Sequence, residues 1–307
     1  MSNVTGVYFA LKRLEIHDGP GVRTTLFLKG CSLRCKWCHN PEGLSRRPQL
    51  AHYAHKCVSC GNCTAVCAAG AHTISDGKHL FDREKCVACG RCVDVCPAEA
   101  NVFFGKTVTP EEILPELLLD RPFFEMTGGG VTLSGGEPLT QPEFVFELLR
   151  LLKKEGIHTA IDTSLAVPGE TLRKAAGLAD LFLCDLKCVD SALSEELIGI
   201  PSGYILDNFR LLDSLGVPME VRYPMVCGYN DREAEKAARF LSGLHNVKRV
   251  KVLPYHDYAK TKYAALGIDY PAGNAAAPDE ERLRSVQELF DSNTGSNGKE
   301  TSSPRSF

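Results

Sequence analysis

Cys31, Cys35 and Cys38 form a C-x3-C-x2-C triplet between Gly30 and His39. Three thiolates on one short loop can hold three irons of a cubane iron–sulfur cluster and leave the fourth iron without a protein ligand. An iron that keeps an open position is a reaction centre, whereas iron capped by four thiolates is an electron carrier. Zinc held by the triplet and His39 is the alternative, because Cys3His sites exist. It is the poorer fit: His39 directly follows Cys38, and adjacent side chains rarely converge on one tetrahedral ion.

The chain holds 14 cysteines, and eight more of them fall into two runs. Cys57, Cys60, Cys63 and Cys67 are spaced C-x2-C-x2-C-x3-C, and Cys86, Cys89, Cys92 and Cys96 repeat the spacing, with Pro97 completing the bacterial ferredoxin run. The two stretches align residue for residue, which marks two copies of one supersecondary unit. In two-cluster ferredoxins the fourth cysteine of each run crosses to the other cluster. One cluster is then expected on Cys57, Cys60, Cys63 and Cys96, and the other on Cys86, Cys89, Cys92 and Cys67. Ala68 stands where the first run should have proline. Zinc ribbons or disulfides fit less well, since ribbons separate their cysteine pairs by a long gap. Cys184, Cys188 and Cys227 are left as small buried apolar residues.

At 307 residues, with 44% apolar composition, the chain can bury a large core. A net charge of −3 and the lack of a basic run argue against nucleic acid. Neither a secretory signal pattern nor a long apolar run is present, so a membrane is excluded and the reducing cytoplasm is expected. Residues 292–307 are rich in Ser, Gly, Asn and Thr and read as a disordered tail.

Short apolar strands alternate with amphipathic helices around the cysteine-rich stretch. Strands are predicted at 24–28, 130–134, 158–161, 178–183, 219–222 and 249–253, and helices at 142–155, 207–215 and 231–241. Such alternation argues a parallel sheet with right-handed crossovers. Each strand ends in a polar or cysteine cluster: the triplet, Gly135-Gly-Glu137, Asp162-Thr-Ser164, Asp185-Leu-Lys187, Arg222, and His256. Groups at the C-terminal ends of parallel strands converge on one mouth in a barrel, whereas a doubly wound sheet would spread them along a crevice. The predicted fold is therefore α/β, a partial (β/α)6 TIM-type barrel over 1–48 and 106–291, with a two-cluster ferredoxin-like domain inserted at 49–105.

The segment Ile16–Gly43, containing Asp18-Gly-Pro-Gly21, Arg23 and the triplet, resembles the signature of glycyl-radical-enzyme activating enzymes. These belong to the radical S-adenosylmethionine (SAM) superfamily. Gly129–Leu139, Val221-Arg-Tyr-Pro224 and Leu253-Pro-Tyr-His256 are similar to the same family, and the likeness runs from about Phe9 to Tyr270. The insert is similar to the subset that activates eliminases and decarboxylases; pyruvate formate-lyase activase lacks it.

The resemblance implies three [4Fe-4S] clusters, with SAM chelating the open iron at Cys31, Cys35 and Cys38. Reduction would split SAM into methionine and a 5′-deoxyadenosyl radical, which takes a hydrogen from a glycine of the partner enzyme. Trp37 and His39 would meet the adenine, Gly135 and Gly136 would allow close backbone approach, and Glu137 would face the methionine ammonium. Asp162 and Thr163 would lie near SAM or a monovalent cation. Asp185, Leu186 and Lys187 would contact ribose and carboxylate, Arg222 the carboxylate, and His256 the ribose. Asp18 and Arg23 would grip the partner's glycine loop. Leu165 stands where many relatives have glycine, and Cys227 where relatives more often have proline. A monomer docking transiently on a glycyl radical enzyme is expected, with flavodoxin or ferredoxin as the electron donor. Two alternatives stay open: another radical SAM enzyme, acting on a small molecule or peptide, and a pure electron-transfer protein. The insert's clusters could relay electrons or brace a docking surface.

Overall fold

The structure, a computed structural model, describes residues 4–294. Its strands, in chain order, are β1 (Gly6–Glu15), β2 (Arg23–Leu28), β3 (Gln49–His52), β4 (His72–Ser75), β5 (Lys78–Phe81), β6 (Asn101–Phe104) and β7 (Lys106–Val108). After these come β8 (Gly130–Gly135), β9 (His158–Thr163), β10 (Leu181–Asp185), β11 (Met219–Met225) and β12 (Val247–Pro254). Helices α1 (Asn62–Val66) and α2 (Arg91–Asp94) lie within the cysteine-rich insert, and α3 (Pro110–Leu117) and α4 (Arg121–Thr127) precede β8. The crossovers carry α5 (Pro142–Lys154), α6 (Gly169–Ala176), α7 (Ser191–Ile198), α8 (Gly203–Ser214) and α9 (Ala234–Leu241). α10 (Lys260–Leu266) and α11 (Glu280–Thr294) follow the last strand.

One sheet orders its strands β12-β11-β10-β9-β8-β2-β1-β7. Strands β2 and β8 to β12 pair in parallel, each with its successor in that series. β1 joins β2 in an antiparallel hairpin and β7 pairs antiparallel with β1 at the edge, two strands that the sequence reading had not assigned. The predicted strands all form. The fourth is displaced, starting at Leu181 rather than 178, and the helix predicted from 207 begins at Gly203.

Successive residues of a strand face opposite sides, and here the two sides differ in chemistry. Leu26, Leu28, Val131, Leu133, Ile161, Phe182, Val221, Tyr223, Val250 and Val252 belong to the main core. That core also takes the buried stripe of α5, formed by Phe144, Val145, Leu148, Leu149 and Leu152. The alternate positions include Arg23, Thr25, Thr132, Ser134, Asp162, Glu220 and Arg222, and several of them bond across strands, Arg23 to Thr132, Ser134 to Asp162 and Arg222 to Asp162. Arg222 pairs with both Asp162 and Asp18, the latter from the β1–β2 loop that bonds Thr25 of β2. In a flat sheet β2 and β11 would lie four strand spacings apart, about 19 Å. A guanidinium cannot span that distance, so the sheet curls with its polar side inward.

The insert runs β3-α1-β4-β5-α2-β6, with β3 paired to β6 and β4 to β5, both antiparallel. Its own core is small, built on Leu50, Cys63 and Cys92. Residues 292–294, within the stretch expected to be disordered, continue α11; residues 295–307 lie outside the described residues.

Candidate active site

The triplet loop leaves β2 and is held on three sides by backbone bonds. Gly30 N–H donates to Gly43 O at 2.7 Å, and Cys31 N–H to Leu44 O at 3.3 Å. Arg34 and Lys36 N–H groups donate to Ile198 and Leu197 carbonyls at the end of α7, each at 2.9 Å. Glu137 N–H donates to Gly30 O at 2.7 Å. The two glycines before Glu137 are dictated by this closeness. A Cβ on Gly135, whose φ is +127°, would sit 2.2 Å from Leu28 O, and one on Gly136 would sit 2.5 Å from Gly30 O. They permit close approach, as expected, but of the β8 turn to the triplet loop.

Glu137 departs from the role foreseen for its side chain. It is fully buried, and its carboxylate accepts from Thr163 Oγ1 at 2.9 and 3.0 Å, Ser164 N at 2.8 Å, Ser164 Oγ at 2.7 Å and Leu139 N at 3.2 Å. Both oxygens are occupied, so the side chain braces β8 against the end of β9 rather than facing an ammonium. Burial pushes this carboxyl above its ordinary range even so. Thr163 is consumed in the same bracing. Leu165, next but one, has φ +60° with its side chain fully buried. That left-handed backbone is natural for glycine and costs a branched residue roughly 1 kcal/mol or more.

Around the mouth lies a chain of paired charges. Arg222 reaches Asp162 Oδ2 at 2.9 Å, Asp18 Oδ1 at 3.3 Å and His17 O at 3.0 Å. Ser134 Oγ donates to Asp162 at 2.7 Å. Burial pushes the Asp162 carboxyl up to about 6, opposed by the Arg222 guanidinium. Lys187 and Asp185 form an ion pair at 2.5 Å, largely shielded from solvent. Burial alone would lower Lys187; Asp185 and the nearby Cys35 and Cys31 outweigh it and keep the ammonium charged. The same lysine thus faces the triplet. Burial raises all three thiols, Cys31 to about 11, so only a bound cation would keep them as thiolates at neutral pH.

His39 and His256 converge from opposite ends of the chain, their rings stacked at 4.0 Å and 17°. Tyr258 stacks on the far side of His256 at 4.5 Å. Burial, then His256, lowers His39 to about 4, which leaves it neutral. Trp37 and Leu186 are buried in the core, Trp37 6.0 Å from the Tyr229 ring, so their side chains are taken up by packing. Arg23 corrects an expectation outright. It has no exposed surface, and its guanidinium donates to Thr132 Oγ1 at 2.6 Å, Val131 O at 2.7 Å and Pro20 O at 3.2 Å. It begins β2 pointing into the sheet's polar interior and cannot touch a partner's loop. Asp18 is placed at the mouth, but it is held there by Thr25 at 2.9 Å and by Arg222.

The insert's eight run cysteines line two separate cavities. One is lined by Cys57, Cys60, Cys63 and Cys96, and the other by Cys67, Cys86, Cys89 and Cys92. The two repeats share a backbone. Ser59 and Ala88, both non-glycine, have φ of +52° and +50°, and their N–H groups each lie 3.4 Å from the sulfurs of Cys57 and Cys86. Ala71 and Ala100 N–H groups lie 3.2 and 3.3 Å from the sulfurs of Cys67 and Cys96. Amides turned toward thiolates in a left-handed turn form the concave nest that favours an anionic iron–sulfur group. Cys184 and Cys188 are buried apart from both cavities, and Cys227 bridges to Ala276.

Sequence reasoning missed the residues that tie the triplet to the rest. Lys262 Nζ donates to Glu42 Oε1 at 2.6 Å, Asn40 Oδ1 at 3.2 Å and His39 O at 3.1 Å. Buried Lys29 donates to Glu42 O at 2.5 Å and to Gln49 Oε1 at 3.1 Å. No local motif announces a lysine 220 residues from its carboxylate.

The family model of the radical SAM superfamily matches residues 25–241, from β2 through α9. The chain belongs to that superfamily. It is 43% identical over 285 residues to the choline trimethylamine-lyase activating enzyme of Oleidesulfovibrio alaskensis, covering 90% of this chain and 92% of the relative. It is 42% identical over 267 residues to the benzylsuccinate synthase activating enzyme of Thauera aromatica, covering 84% and 80%. Within the superfamily it is a glycyl radical enzyme activating enzyme, working with SAM and a [4Fe-4S] cluster on a cognate glycyl radical enzyme. The crystal structure of Streptococcus suis SuiB bound to precursor peptide SuiA shares the fold, with a TM-score of 0.52 at 15% identity over 86% of this chain and 44% of that one. No helix among the described residues is long and apolar enough to cross a membrane.

Proposed function

We propose that the mouth bounded by Cys31, Cys35, Cys38, Asp162, Asp185, Lys187, Arg222, His39 and His256 binds SAM, and that the insert supplies its electrons. The convergence of the strand-end charges on the triplet carries this reading. Cys31, Cys35 and Cys38 would hold the cluster, and with SAM bound it would supply the 5′-deoxyadenosyl radical chemistry that takes a hydrogen atom from the partner's glycine. The chain's own residues position and shield that event. Arg222, held by carboxylates on two sides, is aimed to receive the SAM carboxylate, and Lys187 balances negative charge at the triplet. The His39–His256–Tyr258 stack offers flat apolar faces and ring nitrogens to adenine and ribose. A monovalent cation would bind beside Asp162 and Thr163 once Arg222 turns to the SAM carboxylate. Asp18 is the residue left to meet the partner's loop.

In this reading the division is a radical SAM partial barrel over 1–48 and 106–291 and a ferredoxin-like insert over 49–105. The insert's two cavities each hold a [4Fe-4S] cluster, giving three in all, fed by flavodoxin or ferredoxin. The protein acts as a soluble cytoplasmic monomer that docks transiently on its partner, for which a choline trimethylamine-lyase is the first to test. Anaerobic incubation with dithionite, SAM and that partner is expected to release 5′-deoxyadenosine and to raise a glycyl radical signal by electron paramagnetic resonance (EPR). SAM cleavage without that signal on any glycyl radical enzyme would sink the reading of the partner, and absence of cleavage would sink the reading of the site.

A further inference from the structure

The two cysteine cavities of the insert are not equivalent toward the triplet. β3 leaves the barrel at Gln49, which is bonded to Lys29, and runs outward. Leu50 lines the cavity of Cys67, Cys86, Cys89 and Cys92, whereas His52 lines that of Cys57, Cys60, Cys63 and Cys96. The second cavity is therefore the nearer to the barrel. Cys86 also borders a cleft shared with Arg83, Gln49 and Leu266.

Leu266 ends α10, and α10 touches both partners. At its C-terminal end Arg83 donates to Ala265 O at 2.6 Å and to Leu50 O at 3.1 Å, placing a cation where the helix dipole is negative. At its start Lys262 binds three groups of the segment that follows Cys38. Tyr263, almost fully buried, follows Lys262 on the same helix and packs near Cys38. Tyr263 and Leu266 are three residues apart, hence on one helix face about 4.5 Å apart along the axis. One short helix thus runs from the cleft that Cys86 borders to the segment that follows Cys38.

We propose that α10 is the route by which electrons pass from the second cavity to the triplet, leaving at Cys86 and arriving at Cys38, with Arg83 and Tyr263 as positioning residues. This rests on the insert holding two clusters. Each transfer takes one electron from a low-potential donor of the flavodoxin or ferredoxin class, reduces the triplet's cluster by one electron, and returns the insert to its starting oxidation state. No proton need move along the route. A Tyr263 hydroxyl donating to the Cys38 sulfur would stabilise the reduced form.

The test uses the fully loaded protein with reduced flavodoxin, following each cluster by freeze-quench EPR. Arg83→Met and Leu266→Ala are expected to slow electron arrival at the triplet about 10-fold, with the insert reduced as fast as before. Arg83→Lys should restore part of the rate. Tyr263→Phe should move the triplet's midpoint potential more negative and leave the insert's potentials unchanged, which a merely structural role would not do. Full iron content with an unaltered rate in both slowing variants, or an unmoved potential in Tyr263→Phe, overturns the route. Iron found only at the triplet of the unaltered protein overturns the clusters of the insert, and the route with them.

Discussion

Arg222 is the residue on which the mouth's charge balance turns. It alone answers Asp162 and Asp18 together, with Asp185 beside it on the neighbouring strand. Removing the guanidinium leaves Asp162 and Asp18 without their shared cation and takes away the group proposed to receive the SAM carboxylate. A hydrogen bond to a charged group contributes about 1.5–3 kcal/mol, so Arg222→Gln should weaken SAM binding by roughly 10- to 100-fold in anaerobic calorimetry. Arg222→Lys should recover little, because a point-like ammonium cannot bridge two carboxylates as a planar fork does. Unchanged affinity in Arg222→Gln would remove it from the site. Gly136 makes a second, steric case. Its Cβ would meet Gly43 O at 2.4 Å as well as Gly30 O, both backbone atoms that flank the triplet loop. Gly136→Ala should therefore lower the iron retained at the triplet after reconstitution, and a full complement in that variant would show that the loop yields cheaply.

At the level of elements, the β1–β2 hairpin is the part of the sheet that departs from the parallel plan, and it is fastened by one carboxylate. Asp120, fully buried, pairs with Arg13 of β1 and accepts from Thr24 Oγ1 of β2 at 2.6 Å. Arg13, then Thr24, holds its carboxyl below the ordinary value against the opposing effect of burial. A depressed carboxylate contributes stability that is present above its unfolded pKa of about 3.9 and is lost as pH falls through the folded value. The urea midpoint of the unaltered protein should exceed that of Asp120→Asn at pH 7, and the two should converge as pH drops below about 4. A gap that persists at low pH would assign the loss to packing instead. This hairpin also marks the limit of what the sequence discloses. The six parallel strands were legible because each is short and ends in a polar or cysteine cluster, and three of them lead on to a predicted helix. β1 carries Lys12, Arg13 and Glu15 on an edge, and β7 spans Lys106–Val108 only, so neither shows the run or alternation of a core strand. Likewise Asp162, Asp185 and Arg222 were legible at strand ends and Asp18 through the family resemblance, whereas Arg23 and Glu137 carried motif identity that concealed burial.

The whole molecule joins a barrel that can stand on its own packing to an insert that cannot. The main core draws on nearly every strand and crossover helix, while the insert buries Leu50, Cys63 and Cys92, two of which belong to the cysteine runs. That inequality follows from sequence spacing: eight cysteines and their turns leave few positions between Gln49 and Phe104 for large apolar side chains. Units of that size rarely hold together on a hydrophobic core alone and rely on a metal or a comparable staple. Ligand binding there is then folding energy, because no preformed site exists in the unfolded chain. The non-glycine left-handed turns at Ser59 and Ala88 point the same way, since such backbone persists only where its surroundings impose it. Anaerobic removal of iron with a chelator should therefore free the amides of β3 to β6 to exchange with deuterium. The amides of β2 and β8 to β12 should keep their protection. The antiparallel pairing of β3 with β6 should fail last within the insert, because Ala51 is packed on Ala265 and Leu266 of α10. Equal protection of the insert with and without iron would mean that its fold is carried by the polypeptide and that the cysteines are passengers upon it.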